Sequence, residues 1–231
     1  MTEILLNLTA RPIPFPPEAH DRLQEEAREI IARYPHPRSA LLPLLHLMQS
    51  VEGYVSGTGI EFCAEQLGLT DAEVTAVATF YSMYRRTNTG DYHVGVCTNT
   101  LCAVMGGDQI LADLKQHLGI KNGETTADGM VTLEHIECNA ACDYAPVIMV
   151  NWEFFDNQTP ESAKALVDSL RGEQPPTGSR SGIPPCTFRE TARILAGYPD
   201  QRPGATDGLA GPASLAGLRA AEQDSTDGGS R

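Results

Sequence analysis

Four of the chain's six cysteines fall into two short stretches, Cys97-Thr98-Asn99-Thr100-Leu101-Cys102 and Cys138-Asn139-Ala140-Ala141-Cys142. Their spacings are C-x4-C and C-x3-C. Four thiolates delivered from two loops make a metal site or a pair of disulfides before anything else. Spacing alone leaves several chemistries open. Structural zinc takes four cysteines at comparable spacing. An iron–sulfur cluster takes four thiolates. Disulfides need an oxidising compartment. Thiol redox catalysis of the C-x-x-C kind is the poorest match, because neither pair has that spacing.

The other candidate residues carry less. Cys63, in Glu61-Phe62-Cys63-Ala64, reads as a small buried apolar residue. Cys186, in Pro184-Pro185-Cys186, reads as a bystander or a partner contact. His135 lies three residues before Cys138, but four cysteines already complete a ligand set, so it reads as a polar residue on a strand. Gly106-Gly107 follows the first cysteine loop, yet no G-x-G-x-x-G follows a strand and no phosphate-cradling loop occurs. The chain is therefore not expected to bind NADH by itself.

The net charge of −13 over 231 residues argues against nucleic acid or an anionic membrane surface as partner. It suits either simple solubility or an acidic docking face. No apolar run approaches the ~20 residues that span a bilayer. The start, Met1 to Pro12, has no basic segment before its short apolar patch, so a secretory signal is not expected. The expected location is cytoplasmic, where thiols stay reduced. That shifts the cysteine pairs toward metal.

The elements that must position the pairs can be read from periodicity. Residues 1–17 are expected to be irregular, with four prolines from Pro12 to Pro17. Residues 18–87 read as a helical unit. Leu23, Ala27, Ile30, Ile31 and Tyr34 form one stripe, and Pro35 and Pro37 end that helix. Ser39 is placed to cap a nearly all-apolar second helix. A third runs to Gly68, and Thr70 with Glu73 forms a capping box for a fourth, expected to reach Arg85-Arg86. The aromatic and Met positions 80–84 read more as core than as docking surface.

Residues 88–171 read as an α/β unit in the order β-α-β-β-β-α. A strand over Tyr92–Val96 feeds Cys97, and a hairpin strand over Met130–Ile136, after a turn at Asp128-Gly129, feeds Cys138. Both loops then leave one end of one sheet. Residues 172–231 are rich in Gly, Pro and Ser and are expected to form a mostly disordered tail with one short helix near Phe188–Ala196.

The chain resembles the thioredoxin-like [2Fe–2S] ferredoxin subunit (the 24-kDa, or E-type, subunit) of NADH:quinone oxidoreductase, respiratory complex I. The matching residues are Ala78-Thr79-Phe80-Tyr81-Ser82-Met83-Tyr84, Val96-Cys97 through Cys102, and Glu137-Cys138 through Cys142 with Ala145-Pro146. The resemblance covers roughly residues 20–170. It implies an α/β thioredoxin-like ferredoxin domain preceded by an all-α N-terminal docking domain. It implies one [2Fe–2S] cluster, as cofactor and metal site, on Cys97, Cys102, Cys138 and Cys142. It also implies electron transfer as a subunit of an oxidoreductase rather than catalysis alone. FMN and NADH would bind only the larger flavoprotein partner, beside other peripheral-arm subunits. The chain would sit on the cytoplasmic side of the inner membrane through that complex, without a membrane span. Alternatives are the equivalent diaphorase subunit of an NAD-linked hydrogenase or formate dehydrogenase, and a zinc-stabilised interaction module without redox role. Glu137 and Asp143 flank the second pair, and their charges are expected to lower the cluster's potential. The resemblance does not account for the tail.

Overall fold

The computed structural model describes residues 15–172 and 175–205. Most of the stretch expected to be irregular, residues 1–14, lies outside the described residues. The first helix, α1, spans Pro17–Ile31. Proline at its first position costs no hydrogen bond, and Glu18 meets the positive end of the helix. The helix buries Leu23, Ala27 and Ile30, the stripe read from the sequence.

The expected Ser39 cap is not formed. Pro37–Ala40 winds a 3-10 turn that runs straight into α2, Leu41–Glu52, whose N-cap position is Ala40. Proline pre-sets the turn's backbone, so no side-chain cap is needed there. Helix α2 buries Leu41, Leu44, Leu45, Leu47 and Met48, and is the centre of the helical unit. Helix α3, Gly57–Leu67, is capped by Ser56, whose hydroxyl accepts from the Gly59 N–H, and closes at Gly68 with φ 63°. Cys63 is fully buried in this core, and burial pushes its thiol pKa far up.

Helix α4, Asp71–Phe80, opens on the Thr70–Glu73 capping box. It ends at Phe80 rather than at Arg85-Arg86, because Tyr81 is extended. The unwound chain has other partners. The buried Gln49 side chain donates to Met83 O (3.1 Å) and accepts from Arg85 N–H (2.8 Å). The Tyr84 hydroxyl donates to Leu42 O at 2.9 Å. One buried amide thus replaces the helical bonds that continuation would have made.

The second unit is built on a sheet of order β2-β1-β3-β4. Strand β1 (Tyr92–Cys97) pairs parallel with β2 (Val131–Ile136) and antiparallel with β3 (Ile148–Val150), which pairs antiparallel with β4 (Glu153–Phe155). A short helix α5 (Thr100–Val104) and a longer α6 (Gly107–Leu118) connect β1 to β2. Helix α7 (Pro160–Ser169) follows β4 and starts on Thr159, as its sequence indicates. Val94 and Val96 of β1 pack with Ile110 and Leu114 of α6 and Val167 of α7. The expected hairpin strand near Thr125 shrinks to a single bridge between Thr125 and Thr132.

The tail helix, α8, spans Phe188–Leu195. The chain from Pro175 to Ala205 packs against both units, more than its composition suggests; residues 206–231 lie outside the described residues. On the sheet side, Phe188 is buried, its ring 5.5 Å from Trp152 and 6.4 Å from His93. Its N–H donates to Asp91 O at 2.7 Å, and Asn151 Nδ2 donates to Cys186 O at 2.8 Å. On the helical side, Arg189 donates to the carbonyls of Val51 and Glu52 at the end of α2. Arg193 pairs with Glu26 of α1 at 2.8 Å. The segment is a strap across the two units.

Candidate metal centre

The parallel β1–β2 pairing sets Cys97 opposite Ile136. Neighbouring parallel strands leave a sheet at the same end, so the loops that follow them lie side by side. Cys97 is the last residue of β1, and Cys102 sits within α5. From its residues this stretch reads as a plain loop, and α5 is not foreseen. Asn99 stands at the N-cap position of α5, but its side chain does not cap; Nδ2 donates instead to Ile136 O at 3.2 Å. That bond ties the first cysteine loop to the end of β2.

In the second loop, Ala140 adopts φ 53° and its N–H donates to Cys138 Sγ at 3.4 Å. A 3-10 turn over Cys142–Tyr144 returns the chain to the sheet, followed by a cis Ala145–Pro146 bond. Cys138 Sγ and Cys142 Sγ stand 3.9 Å apart. The Cys97 thiol also acts on that of Cys102. All four cysteines line one small pocket with Asn139, Ala141 and Val147. Cys97 and Cys102 are buried, whereas Cys138 and Cys142 are exposed. All six cysteines are free.

The crowding has an electrostatic signature. The Cys102 thiol is pushed up to about 11, first by burial, then by its bond to the Cys97 thiol and the charges of Cys97 and Cys142; the Val147 N–H opposes this. The Cys142 thiol is raised by the bond to Cys138 and its charge, with smaller contributions from burial, Cys97 and Asp143. These two thiols resist ionising beside charged neighbours unless a cation shares the site. Both cysteine pairs face one pocket, and the charge of Cys142 acts across it on Cys102.

Gly106 and Gly107 have a structural role that the sequence did not reveal. Gly106 has φ 111°, and a Cβ on Gly107 would lie 2.5 Å from Cys97 O and 2.9 Å from Cys102 O. Both contacts are backbone of the first cysteine loop, which cannot retreat without moving the sulfurs. Gly107→Ala is expected to cost about 1–3 kcal/mol in denaturant unfolding and to lower the iron retained per chain. Unchanged iron content would show that the loop yields freely.

The remaining sequence candidates lie elsewhere. His135 is exposed on β2, its Nδ1 3.2 Å from Asn122 Oδ1. Cys63 belongs to the helical core. Cys186 belongs to the strap, its Sγ 3.1 Å from Thr191 Oγ1. None of these three lines the cysteine pocket. Of the aromatic positions 80–84, Tyr84 is buried, but Phe80 is 80% and Tyr81 45% exposed. Val104 (81%) and Met105 (55%), two and three residues after Cys102, are exposed as well, and so is Tyr144, two residues after Cys142. Sequence periodicity gave no hint of Val104 and Met105, since a five-residue helix is too short to show a face, nor of Tyr144, which lies in a three-residue turn.

Comparison with known proteins agrees with this geometry. The chain is 64% identical to the E-type subunit of NADH-quinone oxidoreductase from Mycobacterium tuberculosis over 213 residues, covering 92% of this chain and 84% of that protein. It is 40% identical to the protein of the same name from Rickettsia bellii over 150 residues, covering 64% of this chain and 90% of that protein. An NAD+-reducing [NiFe]-hydrogenase in the H2-reduced state contains a similar fold, with TM-score 0.51 and 19% identity over 58% of this chain and 23% of that one. The family described as thioredoxin-like [2Fe-2S] ferredoxin matches residues 27–171, the helical unit after the start of α1 together with the whole sheet unit. On that match, and on the paired cysteines at the end of β1 and β2, the chain belongs to the thioredoxin-like [2Fe-2S] ferredoxin family.

Proposed function

We propose that the chain is the electron-transfer subunit in the NADH-oxidising module of an NADH:quinone oxidoreductase, holding one [2Fe–2S] cluster on Cys97, Cys102, Cys138 and Cys142. The observation that carries this reading is the convergence of two cysteine pairs on one pocket at the end of the parallel β1–β2 pair. Two cysteine pairs suit either metal, and the match to the thioredoxin-like [2Fe-2S] ferredoxin family favours the cluster over zinc. When bound, the cluster accepts and passes on single electrons, while hydride chemistry stays with a flavin on a partner.

The chain's own residues supply the rest. Cys97 and Cys102 hold one side of the site away from water, and the exposed Cys138 and Cys142 face outward. The Ala140 N–H donates to a ligand sulfur, the kind of bond that tunes a cluster's potential. Asp143 already acts on the Cys142 thiol, which supports a role for this carboxylate in lowering the potential. Exposed Phe80, Tyr81, Val104, Met105 and Tyr144 offer apolar contacts to the FMN- and NADH-binding flavoprotein. Residues 18–87 and 88–171 are the docking and cluster units, and the strap joins them. No helix among the described residues is long and apolar enough to cross a membrane. Attachment on the cytoplasmic side of the membrane would come through the rest of the complex.

The test is purification of the complex from its native source. A reduced sample showing a [2Fe–2S] EPR signal, with an FMN-containing chain and quinone reductase subunits attached, is the expected result. Hydrogenase or formate dehydrogenase subunits in their place would move the chain to the diaphorase alternative. A colourless chain carrying zinc and no acid-labile sulfide would overturn the cluster itself.

A further inference from the structure

The family match ends at residue 171, but the strap beyond it returns to the second cysteine loop. A turn over residues 178–183 closes on itself, with the Gly178 N–H donating to Ile183 O at 2.8 Å. Ser179 docks that turn on the sheet. Its N–H donates to Phe154 O at 2.7 Å, and its hydroxyl accepts from the Asp156 N–H at 2.9 Å. The next residue, Arg180, grips the Asp156 carboxylate with two bonds, Nε to Oδ2 at 3.1 Å and Nη2 to Oδ1 at 3.2 Å. The same guanidinium lies 4.2 Å from the centre of the Phe154 ring and 5.7 Å from that of Tyr144. Tyr144 ends the turn that Cys142 begins.

These contacts belong to a longer run of bonds. The Asn157 N–H donates to Tyr144 O at 2.8 Å, and the Gln158 N–H donates to Pro146 O at 2.9 Å. Both donors follow Asp156 directly, so the residue that Arg180 holds begins the segment that holds the cysteine loop. Charge points the same way. The Asp156 side chain is only 8% exposed, and a carboxylate so placed needs its partner. The Asp156 bond raises the Arg180 pKa, burial opposes this, and the charges of Asp156 and Asp143 add to it. Asp143 is the residue after Cys142. One cation thus answers two carboxylates beside the exposed cysteine pair.

We propose that Arg180 is a positioning residue for electron transfer: it holds the outer cysteine loop in place and offsets the charges of Asp156 and Asp143, so that the site takes up an electron more readily than it would beside two unopposed carboxylates. The inference rests on the reading of the four cysteines as cluster ligands and adds a residue from outside them. An electron gained by the site adds negative charge, which a fixed cation nearby favours and a fixed anion disfavours. Charge and hydrogen bonding around the sulfurs are among the factors that set such potentials. Arginine suits the task, because it stays charged and its planar fork can pair a carboxylate while stacking on aromatic rings.

The experiment is a redox titration of the full-length, cluster-loaded chain, followed by the EPR signal of the reduced state. Low ionic strength keeps exposed charges least screened. Arg180→Gln should shift the midpoint to more negative potential, since two carboxylates are left unopposed. Asp156→Asn should shift it to more positive potential, since a carboxylate is lost and the cation stays. Arg180→Lys should fall between Arg180→Gln and the unaltered chain. Opposite signs are the decisive readout, because Arg180→Gln and Asp156→Asn break the same ion pair. A role in holding the loop alone would move both midpoints one way or cost both variants the same iron. If Arg180→Gln retains too little cluster to titrate, Asp156→Asn and Arg180→Lys carry the test with the same signs. Unmoved midpoints, or shifts of one sign, overturn the proposal and leave the cluster reading intact. An unaltered chain with no [2Fe–2S] signal would overturn that reading, and this proposal with it.

Discussion

Cys102→Ser yields a chain that retains little iron or acid-labile sulfide and gives no [2Fe–2S] EPR signal on reduction. Cys102 is buried within α5, held against Cys97 on one side and donated to by the Val147 N–H. In the proposed cluster it is one of two protein ligands to its iron. A serine alcohol is far harder to ionise than even the raised Cys102 thiol, and it shortens the reach to the metal. Cys97→Ser and Cys142→Ser are expected to weaken or abolish the cluster likewise. Cys63→Ala is the matched control: Cys63 sits among the apolar side chains of α2 and α3, so its loss should cost about 1 kcal/mol of stability and no iron. Iron and sulfide analysis of the four purified variants decides the matter. Full iron in Cys102→Ser would remove that residue from the ligand set.

The second large effect is expected at Phe188. This ring is fully buried between the strap and the sheet, against Trp152 and His93. Phe188→Ala leaves a cavity beneath α8 and should cost about 3–5 kcal/mol in denaturant unfolding. The same change weakens the hold of the strap on the sheet while Arg189 and Arg193 still grip the helical unit. Unfolding followed at Trp152 and by circular dichroism should then separate into two transitions, helical unit and sheet unit. A single transition displaced by less than about 1 kcal/mol would mean that the strap is incidental to the fold.

The cysteine loops show how far sequence reasoning reaches. Strand signals before Cys97 and Cys138 were legible because alternation and turn residues are local. That the two strands are adjacent, parallel and in register is a tertiary fact, and the sequence reached only as far as both loops leaving one end of one sheet. Helix starts at Thr70 and Thr159 were legible for the same local reason, a side-chain oxygen that meets orphan N–H groups. The end of α4 was not legible. Its apolar pattern continues through Tyr81 and Tyr84, and Gln49 and Val55, some thirty residues earlier, offer the bonds that let the backbone unwind. The strap was hidden by its composition. Few of its residues are apolar, but Phe188, Ala192 and Ala196 are fully buried, and arginines supply the rest of its attachment. Composition measures how much a segment can bury by itself, and says nothing about a surface already waiting for it.

The strap also bears on how tightly a partner can be held. Phe80 and Tyr81 project from the helical unit, and Val104, Met105 and Tyr144 from around the cysteine loops. With α8 fastened to both units, these two groups of side chains keep a set separation before any encounter. The freedom of one unit to swing against the other is lost during folding, so little of it remains to be lost on association. Contacts made by the second group then follow the first at high effective concentration. Such a chain should dissociate slowly from its partner without needing a large or unusually apolar interface, and loosening the strap should be felt chiefly as a faster off-rate.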